Sequence, residues 1–149
     1  MRCAIALLIL SALVSGCASG GKLRGGIDGD DLVKVARKQI GVPYRYGGGN
    51  PSEGFDCSGL VRYSFGKLGV IVPHSTKQLY NEGHKVPKGK LQPGDLVFFD
   101  ITGHGVSHVG IYSGGDKMVH APSSGEKVRE DRISIKYWLQ RFAGARRLD

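Results

Sequence analysis

The chain has 149 residues, of which 40% are apolar and 23% are charged. This length suits one domain and excludes two of ordinary size, and the composition is typical of globular proteins and not of disordered ones. The net charge of +8 favours approach to anionic polymers or membrane surfaces, whereas nucleic acid is disfavoured as a partner because the basic residues are scattered instead of interleaved with aromatic residues in one segment.

Residues 1–17 differ in composition from the rest of the chain. Their only charge is Arg2, and the apolar run over residues 4–14 is too short to span a bilayer but matches the core of a secretory signal peptide. The segment 14–17, with the sequence V-S-G-C, resembles a bacterial lipobox, in which small residues precede a cysteine that receives a thioether-linked diacylglycerol, with acyl chains such as palmitate, and becomes the mature N-terminus. We therefore predict a signal peptide over residues 1–16 and lipidation of Cys17. The alternative is an ordinary signal peptide that happens to contain a cysteine.

The predicted lipid determines where the protein should be found. Residues 17–29 are rich in Gly, Ser and Lys and are predicted to form the lipidated N-terminus and a flexible linker. Ala18 follows the lipidated cysteine, at a position where an aspartate tends to hold lipoproteins of enteric bacteria at the inner membrane. We therefore expect an exported protein that its N-terminal lipid anchors in a membrane, on the periplasmic face of the outer membrane if the cell is Gram-negative.

Residues 30–149 are predicted to form the folded domain, and its first half carries helical patterns. Apolar residues recur at helical spacing from an N-cap at Asp30 or Asp31 to Ile40. A second helix is predicted to begin at Asp56, whose side chain can cap free backbone N–H groups, and to end at Gly69. The loop between these helices is rich in glycine and proline, which forbids long regular structure.

The second half of the domain changes to short strand-like runs. It follows a short third helix that is predicted after Ser75 or Thr76, and it ends with a brief helix around Trp138 and a last strand over residues 142–148. Helices followed by a meander of strands predict an α+β fold, with the N-terminal helices packed on a central antiparallel sheet. The other predicted strands cover residues 95–100, 106–112, 117–121 and 127–130.

Cys57 is the one cysteine that the predicted processing leaves unmodified, because Cys3 lies in the signal peptide and Cys17 would carry lipid. A single thiol in an exported protein is either a buried bystander or a reactive group. Cys57 lies in the first turn of the second helix, where the partial positive charge lowers the pKa of a thiol and backbone N–H groups can hold an oxyanion. We therefore predict Cys57 as a nucleophile, with a structural cysteine as the alternative.

A cysteine that transfers acyl groups needs a histidine as its base and a third group that orients the imidazole. His108 lies within one predicted strand and His120 at the end of the next, so that the two could meet across a hairpin. His74 and His84 are interpreted as surface residues. If His120 is not the third group, Asp95 and Asp116 are the next candidates.

A zinc site is the competing interpretation of the same residues. Cys57, His104, His108 and His120 are all of types that bind zinc. However, His104 and His108 would lie ~13 Å apart on one extended strand, at about 3.3 Å per residue. We therefore expect no metal and no other cofactor.

Three segments together resemble the signature of the NlpC/P60 family. They are D-C-S-G at 56–59, S-H-V-G-I-Y at 107–112 and H-A at 120–121. Y-R-Y-G-G at 44–48 and G-D-L-V-F-F at 94–99 match further segments of that family. The order and the spacing of these segments make the resemblance specific.

The resemblance implies a minimal papain-like fold and hydrolysis of peptidoglycan peptides. It implies Cys57 as the nucleophile, His108 as the base and His120 as the polar residue that orients it. Tyr44 would supply an oxyanion-binding or substrate-positioning hydroxyl, although Tyr46 is chemically equivalent in the sequence and Tyr44 could be a packing residue. The implied partners are a peptidoglycan peptide and, through the lipid, a membrane, and we expect a monomer.

Two other functions remain open on the sequence alone. The first is an amidase or acyltransferase that acts on another exported substrate, although a circularly rearranged acyltransferase would place the histidine before the cysteine, and here Cys57 precedes His108. The second is a non-catalytic, wall-associated lipoprotein, which would be expected to have lost one of these two residues.

Trp138 is interpreted as a core residue or a groove wall.

Overall fold

The computed structural model describes residues 22–149, so that the predicted signal peptide and Cys17 lie outside the described residues. The four α-helices of this range are α1 (Gly29–Arg37), α2 (Cys57–Lys67), α3 (Thr76–Tyr80) and α4 (Lys136–Leu139), and two short 3-10 helices cover Arg24–Gly26 and Lys88–Lys90. The eight strands are β1 (Gly49–Asn50), β2 (Gly54–Phe55), β3 (His84–Lys85), β4 (Leu96–Phe99), β5 (His108–Gly114), β6 (Lys117–His120), β7 (Arg129–Arg132) and β8 (Phe142–Arg147). None of the described helices is both long enough and apolar enough to cross a membrane.

The strands confirm the predicted antiparallel sheet. Six of them pair in the order β3-β8-β4-β5-β6-β7, and every neighbouring pair is antiparallel. β1 and β2 form a separate two-stranded hairpin in the glycine-rich loop. The sheet strands were predicted apart from the short β3, and β7 lies two residues further along the chain than expected. The chain therefore has the α+β fold that the order of its elements predicts.

The folded domain begins earlier than the sequence predicts. Leu23 and Ile27 are only 3% and 7% exposed and belong to the main core. The backbone N–H of Arg24 donates to the carbonyl oxygen of Leu148 at 2.5 Å, which ties this segment to the C-terminus. The prediction of a flexible linker is therefore wrong for residues 22–29. Two isolated apolar residues give no periodic signal, and only their contacts with the distant C-terminus show that they are buried.

Helix α1 is displaced relative to the prediction. Its N-cap is Asp28, whose side chain accepts the N–H of Asp30 at 2.8 Å, and not Asp30 or Asp31. It ends at Arg37, so that Ile40, which was predicted to lie on the apolar face, is 47% exposed. A chain with several aspartates before one apolar run offers several N-caps of similar quality, and the packing of the preceding segment decides between them.

Helix α2 begins where the sequence predicts, immediately after Asp56. Its buried face carries Leu60, Val61 and Phe65, which share one core cluster with Val109 of β5. Burying each of these apolar side chains stabilises the fold by about 1.5–3 kcal/mol. This packing places the N-terminus of α2, and with it Cys57, against the beginning of β5.

A second, smaller core covers the opposite face of the sheet. It includes Phe99 of β4 and Trp138 of α4. His108 pairs with Phe99 in register across β4 and β5, and side chains alternate between the two faces of a sheet. His108 therefore points toward Trp138, whereas its neighbour Val109 points toward α2.

Candidate active site

Asp56 organises the segment that precedes the nucleophile candidate. One of its carboxylate oxygens accepts the N–H of Gly59 at 2.7 Å, and the other accepts the N–H of Gly47 at 2.9 Å. The first oxygen also lies 2.9 Å from Nε2 of His74. His74, interpreted from the sequence as a surface residue, is 26% exposed and also contacts the cap of α2. Asp56 thus ties the glycine-rich loop and His74 to the turn that carries Cys57.

Cys57 has a free thiol whose sulfur is surrounded by hydrogen-bonding groups. Sγ lies 3.5 Å from Oγ1 of Thr76, at the start of α3. The backbone N–H groups of Ser58 and Val109 also donate to the sulfur. Because Val109 directly follows His108, this contact brings the thiol to the strand that carries the predicted base.

The thiol of Cys57 is not the acidic group that its helix position predicts. Burial is the largest influence on it and raises the pKa of Cys57 above the ordinary value, and Asp56 raises this pKa further. The bonds from Thr76 and from the two backbone N–H groups lower the pKa but do not offset the burial. The expectation of a lowered pKa is therefore wrong, and the resting side chain is a thiol that requires a base to remove its proton.

His108 and His120 are brought together as predicted from the adjacent strands. Nε2 of His108 lies 2.8 Å from Nδ1 of His120, and the rings cross at 80°. The two residues are 1% and 0% exposed. Burial, and to a smaller extent the charge of His120, lower the pKa of His108 to about 3. Burial also lowers the pKa of His120, against the opposing effect of Asp131. Both rings are therefore uncharged at neutral pH.

Trp138 closes this part of the site. Its ring stacks on that of His108 at 19° with the centroids 5.2 Å apart, and it meets the His120 ring edge-on at 5.1 Å. Trp138 is 5% exposed and also lines a surface cleft together with Tyr137 and Asp131. Both sequence interpretations of Trp138, as core and as groove wall, hold, and its position keeps water from the imidazole pair.

Asp131 was not identified from the sequence, although it touches the candidate site. Its Oδ2 lies 3.0 Å from Nε2 of His120. Nε of Arg129 donates to both of its oxygens, at 3.1 and 3.0 Å. The hydrogen bonds from His120 and Arg129 lower the pKa of Asp131 to about 2, so that it is ionised. No sequence motif includes Asp131. The one feature that could have indicated it is the charged strand predicted over residues 127–130, which directly follows the strand that carries His120.

The two aspartates that were named as substitutes for His120 lie elsewhere. Asp95 is fully buried and forms two hydrogen bonds with Arg147, at 2.7 and 2.8 Å. Asp116 lies in the turn between β5 and β6 with a φ of 66° and accepts a hydrogen bond from Ser134. Both carboxylates therefore serve the sheet and not the imidazole pair.

Tyr44 is partly buried against the same core as Cys57, whereas Tyr46 faces solvent. Burial raises the pKa of Tyr44, and the next influences are the charges of Cys57 and Asp56, which requires these groups to be near. Tyr46 is 89% exposed. The structure thus separates two tyrosines that are equivalent in the sequence, because Tyr44 packs against the same core cluster as Cys57 whereas Tyr46 does not.

The remaining histidines lie apart from the imidazole pair. His84 is exposed and forms an ion pair with the C-terminal Asp149, in keeping with its interpretation as a surface residue. His104 is exposed in the loop between β4 and β5, where it borders a cleft that also includes Thr76. Among residues 22–149, no group of three or more His, Cys, Asp or Glu side chains is arranged to hold a metal ion.

The chain is similar in sequence to one known family and to several known proteins. Residues 41–147 match the model of the NlpC/P60 family. The gamma-DL-glutamyl hydrolase of Bacillus subtilis is 47% identical over 120 residues, which cover 79% of this chain and 29% of that protein. The murein DD-endopeptidase MepH of Escherichia coli is 40% identical over 115 residues, which cover 74% of this chain and 42% of that protein. The chain thus spans less than half the length of these curated relatives.

A solved structure gives the same result for the fold. An NlpC/P60 family protein from Bacillus cereus superposes with a TM-score of 0.76 at 34% sequence identity. The superposition covers 80% of this chain and 40% of that one. The similarity therefore extends over most of the described domain.

Proposed function

Because this chain belongs to the NlpC/P60 family, we propose that it is a peptidoglycan endopeptidase that hydrolyses amide bonds in stem peptides or cross-links of the cell wall. The observation that carries the proposal is the buried contact between His108 on β5 and His120 on β6, because the residue after His108, Val109, donates its backbone N–H to the sulfur of Cys57. The names of the two curated relatives, a gamma-DL-glutamyl hydrolase and a murein DD-endopeptidase, support peptides with D-amino acids as the substrate class.

In the proposed first step, Nδ1 of His108 takes the proton of Cys57 as the sulfur attacks the carbonyl carbon of the scissile amide. The C–S bond forms and the carbonyl electron pair moves to the oxygen. Backbone N–H groups at the start of α2 and the hydroxyl of Tyr44 stabilise this oxyanion. When the intermediate collapses, His108 gives its proton to the leaving nitrogen, the C–N bond breaks and a thioester remains.

In the second step, water replaces the amine. Neutral His108 removes a proton from the water as its oxygen attacks the thioester carbon. Collapse of the second intermediate breaks the C–S bond, and the sulfur of Cys57 recovers its proton from His108. Throughout the reaction, Nδ1 of His120 accepts a hydrogen bond from the Nε2–H of His108 and so keeps the His108 ring oriented. The products are the amine and a carboxylic acid, which gives its proton to the solvent, and the enzyme returns to its starting state.

Digestion of purified sacculi tests this function and identifies the bond. The wild type should release fragments whose masses name the cleaved amide, whereas Cys57→Ala and Cys57→Ser should release none. Circular dichroism must show that the variants remain folded, which is expected because the change is small. A parallel digestion with EDTA should proceed at the wild-type rate. Turnover by Cys57→Ala would overturn the cysteine mechanism.

The lipid anchor is a second part of the proposal and rests on the segment 14–17. The protein is proposed to be exported and to be held by acyl chains on Cys17, at the periplasmic face of the outer membrane in a Gram-negative cell. Cells that express the wild type, Cys17→Ser or the control Cys3→Ser are fractionated after growth with labelled palmitate. Membrane association and label should be lost in Cys17→Ser alone. Retention of both in Cys17→Ser would refute lipidation.

The domain is further proposed to act as a monomer. The relevant measurement is light scattering coupled to gel filtration, on protein that starts at Ala18 and therefore carries no lipid. A mass close to that of a single chain is expected at micromolar concentration, and a dimer mass would contradict the proposal.

A further inference from the structure

We infer that Asp131 is a positioning residue that selects the proton arrangement of both histidines, so that His108 presents an unprotonated Nδ1 to Cys57. The inference deepens the proposed function and rests on it for its catalytic consequence. It adds a fourth member to the proposed site of Cys57, His108 and His120. Contacts run from His108 through His120 to the carboxylate, and the backbone N–H of Val109, the residue after His108, donates to the sulfur of Cys57.

The contact between Asp131 and His120 has only one possible direction. An ionised carboxylate accepts hydrogen bonds and cannot donate one, and hydrogen bonds from His120 and Arg129 lower the pKa of Asp131 to about 2. Nε2 of His120, at 3.0 Å, must therefore carry the hydrogen. An uncharged imidazole has a single N–H, so Nδ1 of His120 is a bare acceptor.

The next contact follows from the first. Nδ1 of His120 lies 2.8 Å from Nε2 of His108, and because the former has no hydrogen, the latter must donate. His108 is uncharged, since burial lowers its pKa to about 3. Its single hydrogen is therefore on Nε2, and its Nδ1 has a free lone pair. A base needs this lone pair to take the proton of Cys57.

Removing the carboxylate would permit the opposite arrangement. His120 could then carry its hydrogen on Nδ1 and donate to Nε2 of His108. The hydrogen of His108 would in turn move to Nδ1, and that nitrogen could no longer accept the thiol proton. The two arrangements have the same heavy-atom positions and differ only in the hydrogens, so the charge at Asp131 decides between them.

The surroundings of Asp131 hold the carboxylate in place for this role. Arg129 donates to both of its oxygens and forms an ion pair with Glu126 at 3.0 Å. The charged or titratable groups that act on His120 are Asp131, Arg129 and Glu126, and those that act on His108 are His120 and Asp131. The side chain of Asp131 is 20% exposed while His120 is fully buried, so the carboxylate lies between the buried rings and the solvent.

The charge has a second effect during the reaction. When His108 takes the proton of Cys57, the ring becomes an imidazolium in a site that disfavours charge through burial. A fixed negative charge at Asp131 opposes that penalty, because it raises the pKa of His108. The same residue therefore prepares the resting base and stabilises its protonated form.

The test combines nitrogen NMR of the imidazoles with turnover, using Asp131→Leu, Asp131→Ala and the control Glu130→Gln. Asp131→Leu also removes the acceptor but keeps a similar side-chain volume, so it replaces Asp131→Ala if that variant fails to fold. Glu130 is the preceding residue of β7, and its carboxylate binds Ser113 and Arg37 instead of a histidine. The wild type should show both His108 and His120 with hydrogen on Nε2 at pH 7. Glu130→Gln should keep that pattern and the wild-type kcat.

The Asp131 variants should show hydrogen on Nδ1 in a substantial fraction of His120 and His108. Their kcat should fall by about 10²-fold, within the range that a positioned base contributes, with KM unchanged. A protonated Nδ1 on His108 in the wild type would overturn the inference, as would Asp131 variants with wild-type proton positions. The NMR measurement needs no substrate, so it still tests Asp131 if the wild type fails to cleave sacculi and the proposed function falls.

Discussion

Replacing Gly59 with alanine tests how closely α2 must approach the glycine-rich loop in order to place Cys57. A Cβ at residue 59 would lie 1.9 Å from the carbonyl oxygen of Gly48, 2.8 Å from Oδ1 of Asp56 and 3.0 Å from Nε2 of His74. The Gly48 oxygen is a backbone atom that accepts the N–H of Asp56 at 3.1 Å, so it cannot rotate away. It must move by about 1.1 Å to reach even a 3.0 Å separation.

The cost follows from this displacement. Overpacking of this kind destabilises a fold by about 1–3 kcal/mol, and the strained Asp56 N–H bond adds about 1 kcal/mol. The better helix propensity of alanine offsets at most about 1 kcal/mol. We expect Gly59→Ala to lower the free energy of unfolding by about 1–3 kcal/mol. Since a 1 Å misplacement of reacting groups can cost about 10²-fold, kcat/KM should fall by a factor of this order.

Gly66→Ala is the matched control, because it makes the same change in the same helix where a Cβ would meet nothing within 4 Å. It should raise the free energy of unfolding by up to about 1 kcal/mol and leave turnover unchanged. Urea unfolding and muropeptide turnover measure both variants. If Gly59→Ala is as stable and active as the wild type, or if Gly66→Ala loses as much, the close approach of α2 to the loop does not position the nucleophile.

Four further results are expected. Because burial lowers the pKa of His108 to about 3, the base stays uncharged at pH 5, and kcat/KM there should remain within about twofold of its value at pH 7; an acid limb centred near pH 6.5 would contradict this. Between about pH 6.5 and 3, His108 binds a proton more strongly in the unfolded chain than in the folded one, so the Tm should fall as the pH drops through this window. The variant His108→Gln should show a weaker dependence of Tm on pH. Asp95→Ala should lower the free energy of unfolding by about 3–5 kcal/mol, since it leaves Arg147 without its partner. Turnover per folded molecule should stay at the wild-type value, and a loss of turnover in folded protein would mean that Asp95 takes part in catalysis. His120→Gln should retain a higher kcat/KM than His120→Ala, because the Gln amide can accept a hydrogen bond from His108 and donate one to Asp131. If His120→Ala has the same kcat/KM as the wild type, another residue orients His108.

Local patterns were sufficient where an element depends on its own residues. The start of α2 follows from one capping aspartate before an apolar helical face, and the structure confirms it. The strands that carry His108 and His120 were likewise recognisable from their β-branched and apolar residues. The start of the domain was not predictable in this way, because Leu23 and Ile27 are buried by contacts with the other end of the chain.

The sequence by itself determined the order of elements, the helix position of Cys57 and the two strands whose histidines meet, because capping and periodicity act over a few neighbouring residues. Only the tertiary structure decided the electrostatics of the site. Burial raises the pKa of Cys57 although its helix position predicts the reverse. The contact between Asp131 and His120 depends on the register of β6 and β7. Burial and register arise when distant segments pack together, and no short segment of the chain records them.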